Sequence, residues 1–207
     1  GLRPATTGVY DNQDDWRNII PTNIVTLPLH FKNNGYYVAG AGKIYHDSYR
    51  RPSDWNAYLG DTRGDEDGLF DTPRPGSRAR LAADGGVGGI KFAPLNCDDA
   101  DMDDYRSVSY ITNKLGKKYD RPFFLACGLR KPHMPWNVPK KYYDLYPLDK
   151  IILPTVLTND LDDIPPVGVW MAHRSGDHAR ILESGRWKDA VQGYLATITF
   201  CDAMVGR

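Results

Sequence analysis

Cysteine is scarce in this chain. Cys97, Cys127 and Cys201 are the only three in 207 residues, too few and too scattered for a metal knuckle or a disulfide framework. Cys127, inside Phe123-Phe-Leu-Ala-Cys127, and Cys201, on a helical apolar face, read as small packed apolar residues. Cys97 falls in a loop and is expected to pair only with a cysteine outside this sequence. Net charge is missing as well. The 26 Lys and Arg balance 26 Asp and Glu, which argues against a broad basic surface for nucleic acid. No apolar run approaches the length of a membrane span. Internal repeats and low-complexity tracts are absent. So are a Walker loop, a Gly-x-Ser-x-Gly elbow and a His-Glu-x-x-His pair, which sets aside the chemistries those motifs carry. There is no opening Met. The chain starts Gly1-Leu-Arg-Pro4 and stops at Arg207 inside an expected helix, so we expect an internal piece of a longer protein.

What is present is a globular composition, 41% hydrophobic and 25% charged, long enough for one α/β domain with a core. Residues 1–23 read as irregular, interrupted by Pro4, Gly8, Asn12 and Pro21. Thr26 predicts an N-cap for a short helix with Pro28 in its first turn, Leu27 and Phe31 on one face, and Gly35 as its stop. Tyr36-Tyr-Val-Ala-Gly-Ala41 is a β-prone run, and its Gly-rich end permits a sharp turn. Residues 47–100 read as a long, loop-rich polar insertion. A helix is expected over Asp101–Tyr119, capped by Asp101 or Asp103, with Val108, Ile111, Leu115 and Tyr119 as its apolar stripe. Pro122-Phe-Phe-Leu-Ala-Cys-Gly128 has the continuous apolar pattern of a strand buried on both faces. Two helix-then-strand units in succession favour a mostly parallel sheet with helices on both faces. A short Tyr-rich helix is expected over Pro139–Tyr146, and loop over 147–184. A last helix should run from about Arg186, with Trp187, Val191, Tyr194, Leu195, Ile198, Cys201 and Val205 on one side.

Two segments carry the chemistry. Gly42-Lys-Ile-Tyr-His46 and Arg130-Lys-Pro-His-Met-Pro-Trp136 each follow a predicted strand, and strand ends in open α/β sheets are where ligands bind. Lys43 alone reads as an ordinary surface lysine. Paired with His46 at one strand exit, it offers a point charge for a sulfate or phosphate oxygen beside an imidazole that can move a proton. His133 sits between two prolines that restrict the backbone and hold the ring in one direction. Trp136 offers a wall for a sugar, although packing is its expected role. The acidic run Asp98–Asp104 lacks the Gly and Glu spacing of a calcium loop, and capping and solvation of the next helix explain it better. No residue here is expected to ligate metal. His173 and His178 fall in a polar loop with no recognisable geometry.

Gly42-Lys-Ile-Tyr-His46 and Lys131-Pro-His-Met-Pro135 together resemble two active-site segments of the type I sulfatases, in the alkaline-phosphatase-like superfamily, and are closest to the iduronate sulfatase branch. Gly1-Leu-Arg-Pro-Ala-Thr-Thr-Gly8, Tyr142-Tyr-Asp-Leu-Tyr-Pro147, Asp163-Ile-Pro-Pro166 and the Tyr194–Gly206 helix resemble the family too. The resemblance implies that residues 1–207 are the internal part of a sulfatase catalytic domain, a partial alkaline-phosphatase-like fold with an insertion at 47–100. It implies hydrolysis of a sulfate monoester of a carbohydrate, with a formylglycine made from Cys or Ser whose hydrate attacks sulfur, and with calcium to stabilise charge. By this carry-over Lys43 contacts sulfate and the nucleophile. His46 hydrogen-bonds the formylglycine hydroxyl and helps release sulfate. His133 binds sulfate and assists the leaving group. The Cys/Ser-x-Pro-Ser-Arg motif and the metal-binding Asp residues are absent from this sequence, so residues 1–207 alone are expected to be inactive. The implied partner is a sulfated carbohydrate or other sulfate ester, and the implied location secreted, periplasmic or lysosomal. A phosphodiesterase or phosphonate monoester hydrolase of the same superfamily, and a non-catalytic glycan-binding relative, are the competing readings.

Overall fold

The computed structural model describes residues 2–46, 49–59, 85–172 and 176–207. Its strands are Tyr37–Gly42 (β1), Ala57–Leu59 (β2), Phe92–Leu95 (β3), Phe123–Gly128 (β4) and Trp136–Pro139 (β5). Its α-helices are Pro4–Thr7 (α1), Trp16–Ile19 (α2), Leu27–Asn33 (α3), Asp103–Leu115 (α4), Lys140–Tyr143 (α5), Pro166–Ala172 (α6), Asp177–Glu183 (α7) and Trp187–Val205 (α8). The described residues form two units: 2–59 with Asp103–Arg130 and Arg207, and 85–102 with Lys131–Gly206.

In the first unit, α3 forms as its sequence predicts. The Thr26 hydroxyl accepts a hydrogen bond from the Leu29 N–H at 3.3 Å, Pro28 occupies the first turn where no N–H is needed, and Gly35 reverses the chain at φ +83°. The sheet is parallel throughout, in the order β2-β1-β4. β1 is its middle strand, and Val38, Ala39 and Ala41 are fully buried. Tyr37 stands opposite Phe123 and Gly42 opposite Gly128, so β1 and β4 start and finish level. Phe124 stacks on Phe31 of α3 with centroids 4.4 Å apart, while its neighbour Phe123 and Tyr37 both meet Tyr119, just past α4. Neighbouring residues of a strand face opposite ways, so α3 and α4 cover opposite faces of the sheet.

Several expectations are corrected here. β4 is not buried on both faces. Among the described residues it is an outer strand, with Phe123 42% exposed and Cys127 exposed rather than packed. On α4, Val108 and Ile111 are buried as expected, but Leu115 is exposed and Asp104 and Ser107 take the inner positions. Within 47–100, the described residues are not all loop: they supply a 3₁₀ turn at Pro52–Asp54, then β2 and β3. Residues 60–84 lie outside the described residues.

The second unit holds a two-stranded parallel sheet in which Phe92 pairs with Trp136 and Leu95 with Pro139. Phe92, Leu95 and Val138 are buried, and α8 packs on both strands. The face α8 buries is not the large apolar stripe of the sequence reading. It is Ala190, Gly193, Ala196, Thr197, Phe200 and Met204, while Tyr194, Ile198 and Val205 are exposed and Cys201 is half-buried. Small residues win because the helix lies close: a Cβ on Gly193 would stand 2.9 Å from the Tyr143 hydroxyl and 3.0 Å from the Phe92 Cβ. The expected loop over 147–184 contains α6 and α7. Pro165 and Pro166 open α6 instead of breaking structure, since a proline in the first helical turn forfeits no hydrogen bond. His178 accordingly lies on α7, edge-on to Trp187, and His173 lies outside the described residues.

Candidate active site

The turn after β1 is made possible by two glycines. Gly42 adopts φ +71°, a conformation that costs other residues strain, and a Cβ there would stand 2.1 Å from the Gly128 carbonyl oxygen. A Cβ on Gly128 would likewise stand 2.1 Å from the Lys43 carbonyl carbon. With both side chains absent, the turn crosses the end of β4. The Lys43 N–H donates to the Gly128 carbonyl at 2.9 Å, and the Ile44 N–H donates to the Gly42 carbonyl at 3.0 Å. The Tyr58 hydroxyl, one residue short of the end of β2, donates to the Gly42 carbonyl at 2.7 Å. Lys43 and His46 are both half-buried on this turn, and the His46 carbonyl accepts from the Tyr49 N–H at 3.4 Å. The sheet therefore brings Lys43 and His46 to its C-terminal edge, as the sequence predicts, level with the exit of β4.

Just past that exit, the Arg130 N–H donates to the Asp104 carboxylate at 2.8 Å. The next residues belong to the second unit. There His133 is exposed on a turn leading into β5, with its Nδ1 against the Met134 carbonyl. Lys131–Pro132 and Met134–Pro135 are cis. The turn is clamped by side chains: the Trp136 indole N–H donates to the Pro132 carbonyl at 3.1 Å, and the buried Lys131 ammonium donates to the Pro135 carbonyl. Trp136 also packs against the buried cluster of Phe92, Ile181 and Ala190 and meets the Tyr194 ring at 5.2 Å, so it serves packing, on Tyr194 rather than on the Tyr142-Tyr143 pair. Lys131 is the residue whose part the sequence did not reveal. Buried, it donates to the Pro135 carbonyl and so helps clamp the turn.

The acidic run is spent internally. Asp98 and Asp101 form a capping box on the 3₁₀ turn at Asp99–Asp101, and Asp99 accepts from the Lys141 ammonium at 2.7 Å and the Tyr142 hydroxyl at 3.0 Å. Burial first, and then the charges of Asp101, Asp98 and Asp99, push the Cys97 thiol up to about 12, which keeps it protonated and unreactive at neutral pH. Among the described residues no group of three or more His, Cys, Asp or Glu is arranged to hold a metal ion. These residues therefore do not fit calcium by themselves.

A family model described as Sulfatase matches residues 1–207, the whole chain. The chain is 37% identical to a protein named Sulfatase from Formosa agariphila, 29% identical to Iduronate 2-sulfatase from Homo sapiens and 25% identical to Choline-sulfatase from Rhizobium meliloti. Each match takes in 100% of the chain but only 43%, 40% and 41% of the respective relative, so the chain spans about two fifths of the length of these curated relatives. With its whole length matched and its Lys43–His46 turn built at the end of a parallel strand, the chain belongs to the sulfatase family.

Proposed function

We propose that the full-length protein is a sulfuric ester hydrolase that removes sulfate from a sulfated carbohydrate. One observation carries the reading. In a chain of the sulfatase family, the paired strand ends Gly42 and Gly128 hold Lys43 and His46 on a rigid turn at the C-terminal sheet edge, where an oxyanion can approach. The Lys43 ammonium opposes the negative charge carried by the sulfuryl oxygens, while the charge that grows as the ester bond breaks falls on the departing sugar oxygen. His46 takes a proton as sulfate is released. In the family reading, His133 gives a proton to the departing sugar oxygen. The relative named Iduronate 2-sulfatase directs the reading to a carbohydrate, and the one named Choline-sulfatase makes a small non-carbohydrate ester the comparison substrate. Calcium and a formylglycine from Cys or Ser belong to this reading as the family's cofactors. Residues 1–207 alone are proposed to be inactive, as the internal part of a catalytic domain, and the full-length protein to work in a secreted, periplasmic or lysosomal setting.

Rates on matched sulfate and phosphate esters, of a sugar and of choline, test the proposal. The expected outcome is preferred hydrolysis of the sugar sulfate. Faster phosphate-ester hydrolysis would assign the chain to phosphodiesterase or phosphonate monoester chemistry. Binding of the sugar without turnover would assign it to the glycan-binding reading.

A further inference from the structure

Gly40 and Gly42 are two positions apart on β1, so a side chain at either would point to the same face of the sheet. Tyr58 of β2 stands opposite Gly40 in the parallel register. Its ring uses the room that Gly40 leaves, since a Cβ at 40 would stand 2.7 Å from it. From there the phenol reaches along β1, and its hydroxyl donates to the Gly42 carbonyl at 2.7 Å. The ring is held in that course. Trp55, 5% exposed, meets it edge-on with centroids 5.0 Å apart, and the Arg50 guanidinium lies over it at 4.7 Å. Trp55 in turn meets the ring of Tyr45, inside the Lys43–His46 turn, edge-on at 6.4 Å.

The bond made by Tyr58 falls on the peptide unit that launches Lys43. The described β1–β2 register ends at Ala41 with Leu59, and one step beyond it the phenol supplies the bond from the β2 side. From the β4 side, the Gly128 carbonyl accepts from the Lys43 N–H at 2.9 Å. The Gly42 carbonyl and the Lys43 N–H belong to one planar unit, so fixing both fixes the plane and the direction in which the Lys43 side chain leaves. The Gly42 carbonyl also accepts from the Ile44 N–H at 3.0 Å, which closes a three-residue turn with Lys43 at its centre. Gly42 has no room for a side chain of its own that could add support: a Cβ there would stand 2.1 Å from the Gly128 carbonyl oxygen and 2.8 Å from the Ser107 Oγ. Without the phenol, the carbonyl would keep the bond within its turn and lose the one that ties that turn to β2.

We infer that Tyr58 is a positioning residue for Lys43: its hydroxyl holds the peptide between 42 and 43 so that the ammonium stands where the sulfuryl oxygens arrive. This rests on the sulfate-ester reading above and adds to it a residue that acts through the backbone, not on the sulfate itself. Placement matters at this scale, because a displacement of about 1 Å can cost about a hundredfold in rate. It also gives the hydroxyl a cause that packing does not: phenylalanine would fill the room over Gly40 and meet Trp55 equally well.

The test compares wild-type, Tyr58→Phe, Lys43→Ala and the double variant, all in the full-length protein and on one sugar sulfate. Tyr58→Phe should keep a cooperative melting transition and lower kcat/KM about tenfold, the scale of one lost hydrogen bond. In the Lys43→Ala background the same change should cost less than about twofold, because no ammonium is left to misplace. Para-aminophenylalanine at 58 keeps a donor in the same place and should give a rate between those of tyrosine and phenylalanine. If Tyr58→Phe fails to fold, that residue replaces it in the cycle, and its loss should again appear only where Lys43 is present. A wild-type rate for the variant, or an equal loss in both backgrounds, overturns the inference, since a merely structural hydroxyl would act alike with or without Lys43. If wild-type hydrolyses no sulfate ester, the hydrolytic reading itself fails. Calorimetric titration with inorganic sulfate then decides the role of Tyr58: affinity should fall in Tyr58→Phe only where Lys43 is present. Equal affinity of wild-type and Tyr58→Phe, absence of binding included, overturns it.

Discussion

The two motif-bearing turns are made rigid by opposite means. The Gly42–His46 turn depends on what is missing: two absent Cβ atoms allow backbone to lie against backbone, and main-chain bonds then fix it. The Lys131–Trp136 turn depends on what is added: prolines restrict the chain, and the side chains of Trp136 and Lys131 occupy its carbonyls. A turn of the first kind fails all at once when a single atom is introduced. A turn of the second kind spreads its support over several side chains, and each can be lost separately.

The sharpest way to break this contrast is Gly42→Val. It imposes a β-branched residue at positive φ and a clash with the Gly128 carbonyl, and should cost more than about 4 kcal/mol, in the exceptional class for single changes. Denaturant unfolding followed by circular dichroism would measure it, and near wild-type stability would refute the close-approach account. Lys43→Ala comes next and acts on chemistry instead of fold. In the full-length protein it should raise the barrier by about 2.7–4 kcal/mol with an unchanged melting transition, and a near wild-type kcat would remove Lys43 from the mechanism. On the proline side, Trp136→Phe keeps a ring in the packing but gives up the bond to the Pro132 carbonyl. An effect of only about 1 kcal/mol is expected in the same unfolding measurement, because the Lys131 clamp persists. A loss as large as that of Gly42→Val would erase the distinction.

The smallest effect is a pH signature in the second unit. The folded chain holds the Cys97 proton up to about 12, whereas an unfolded thiol releases it near its ordinary value of 9.0. The stabilisation from the raised value is complete below that unfolded value and is lost as pH climbs towards the folded one. Alkylation of Cys97 in the native chain should therefore still be accelerating above pH 9.0. A plateau at that pH would show the thiol to be unprotected.

The parts legible in the sequence are those decided locally. The Thr26 cap, the Gly35 stop and the Gly-rich end of β1 depend on residues within a few positions of one another, and they place Lys43 and His46 correctly. What escaped notice depends on distant approach. Nothing near Gly193 announces that Tyr143 and Phe92 will press on it, so the large residues of α8 are mistaken for its inner face. Pro165 and Pro166 carry the same local signal whether they open a helix or interrupt one. The support that Tyr58 gives the Gly42 carbonyl spans 16 residues. The clamp made by Lys131 depends on its burial and on its bond to the Pro135 carbonyl, which no local pattern announces.

Gly40, in the middle of β1, lies beneath two rings. A Cβ there would stand 2.7 Å from both the Trp55 and the Tyr58 side chains. The strand and the segment after it thus share one volume, and neither can change alone. A Cβ at 40 meets both rings at once, so descendants of this sequence should acquire alanine there only if Trp55 and Tyr58 both give way. If Tyr58 shrank, Gly42 would lose its hydroxyl donor and Arg50 its platform. Drift in a buried strand is thereby tied to the upkeep of the turn that carries Lys43.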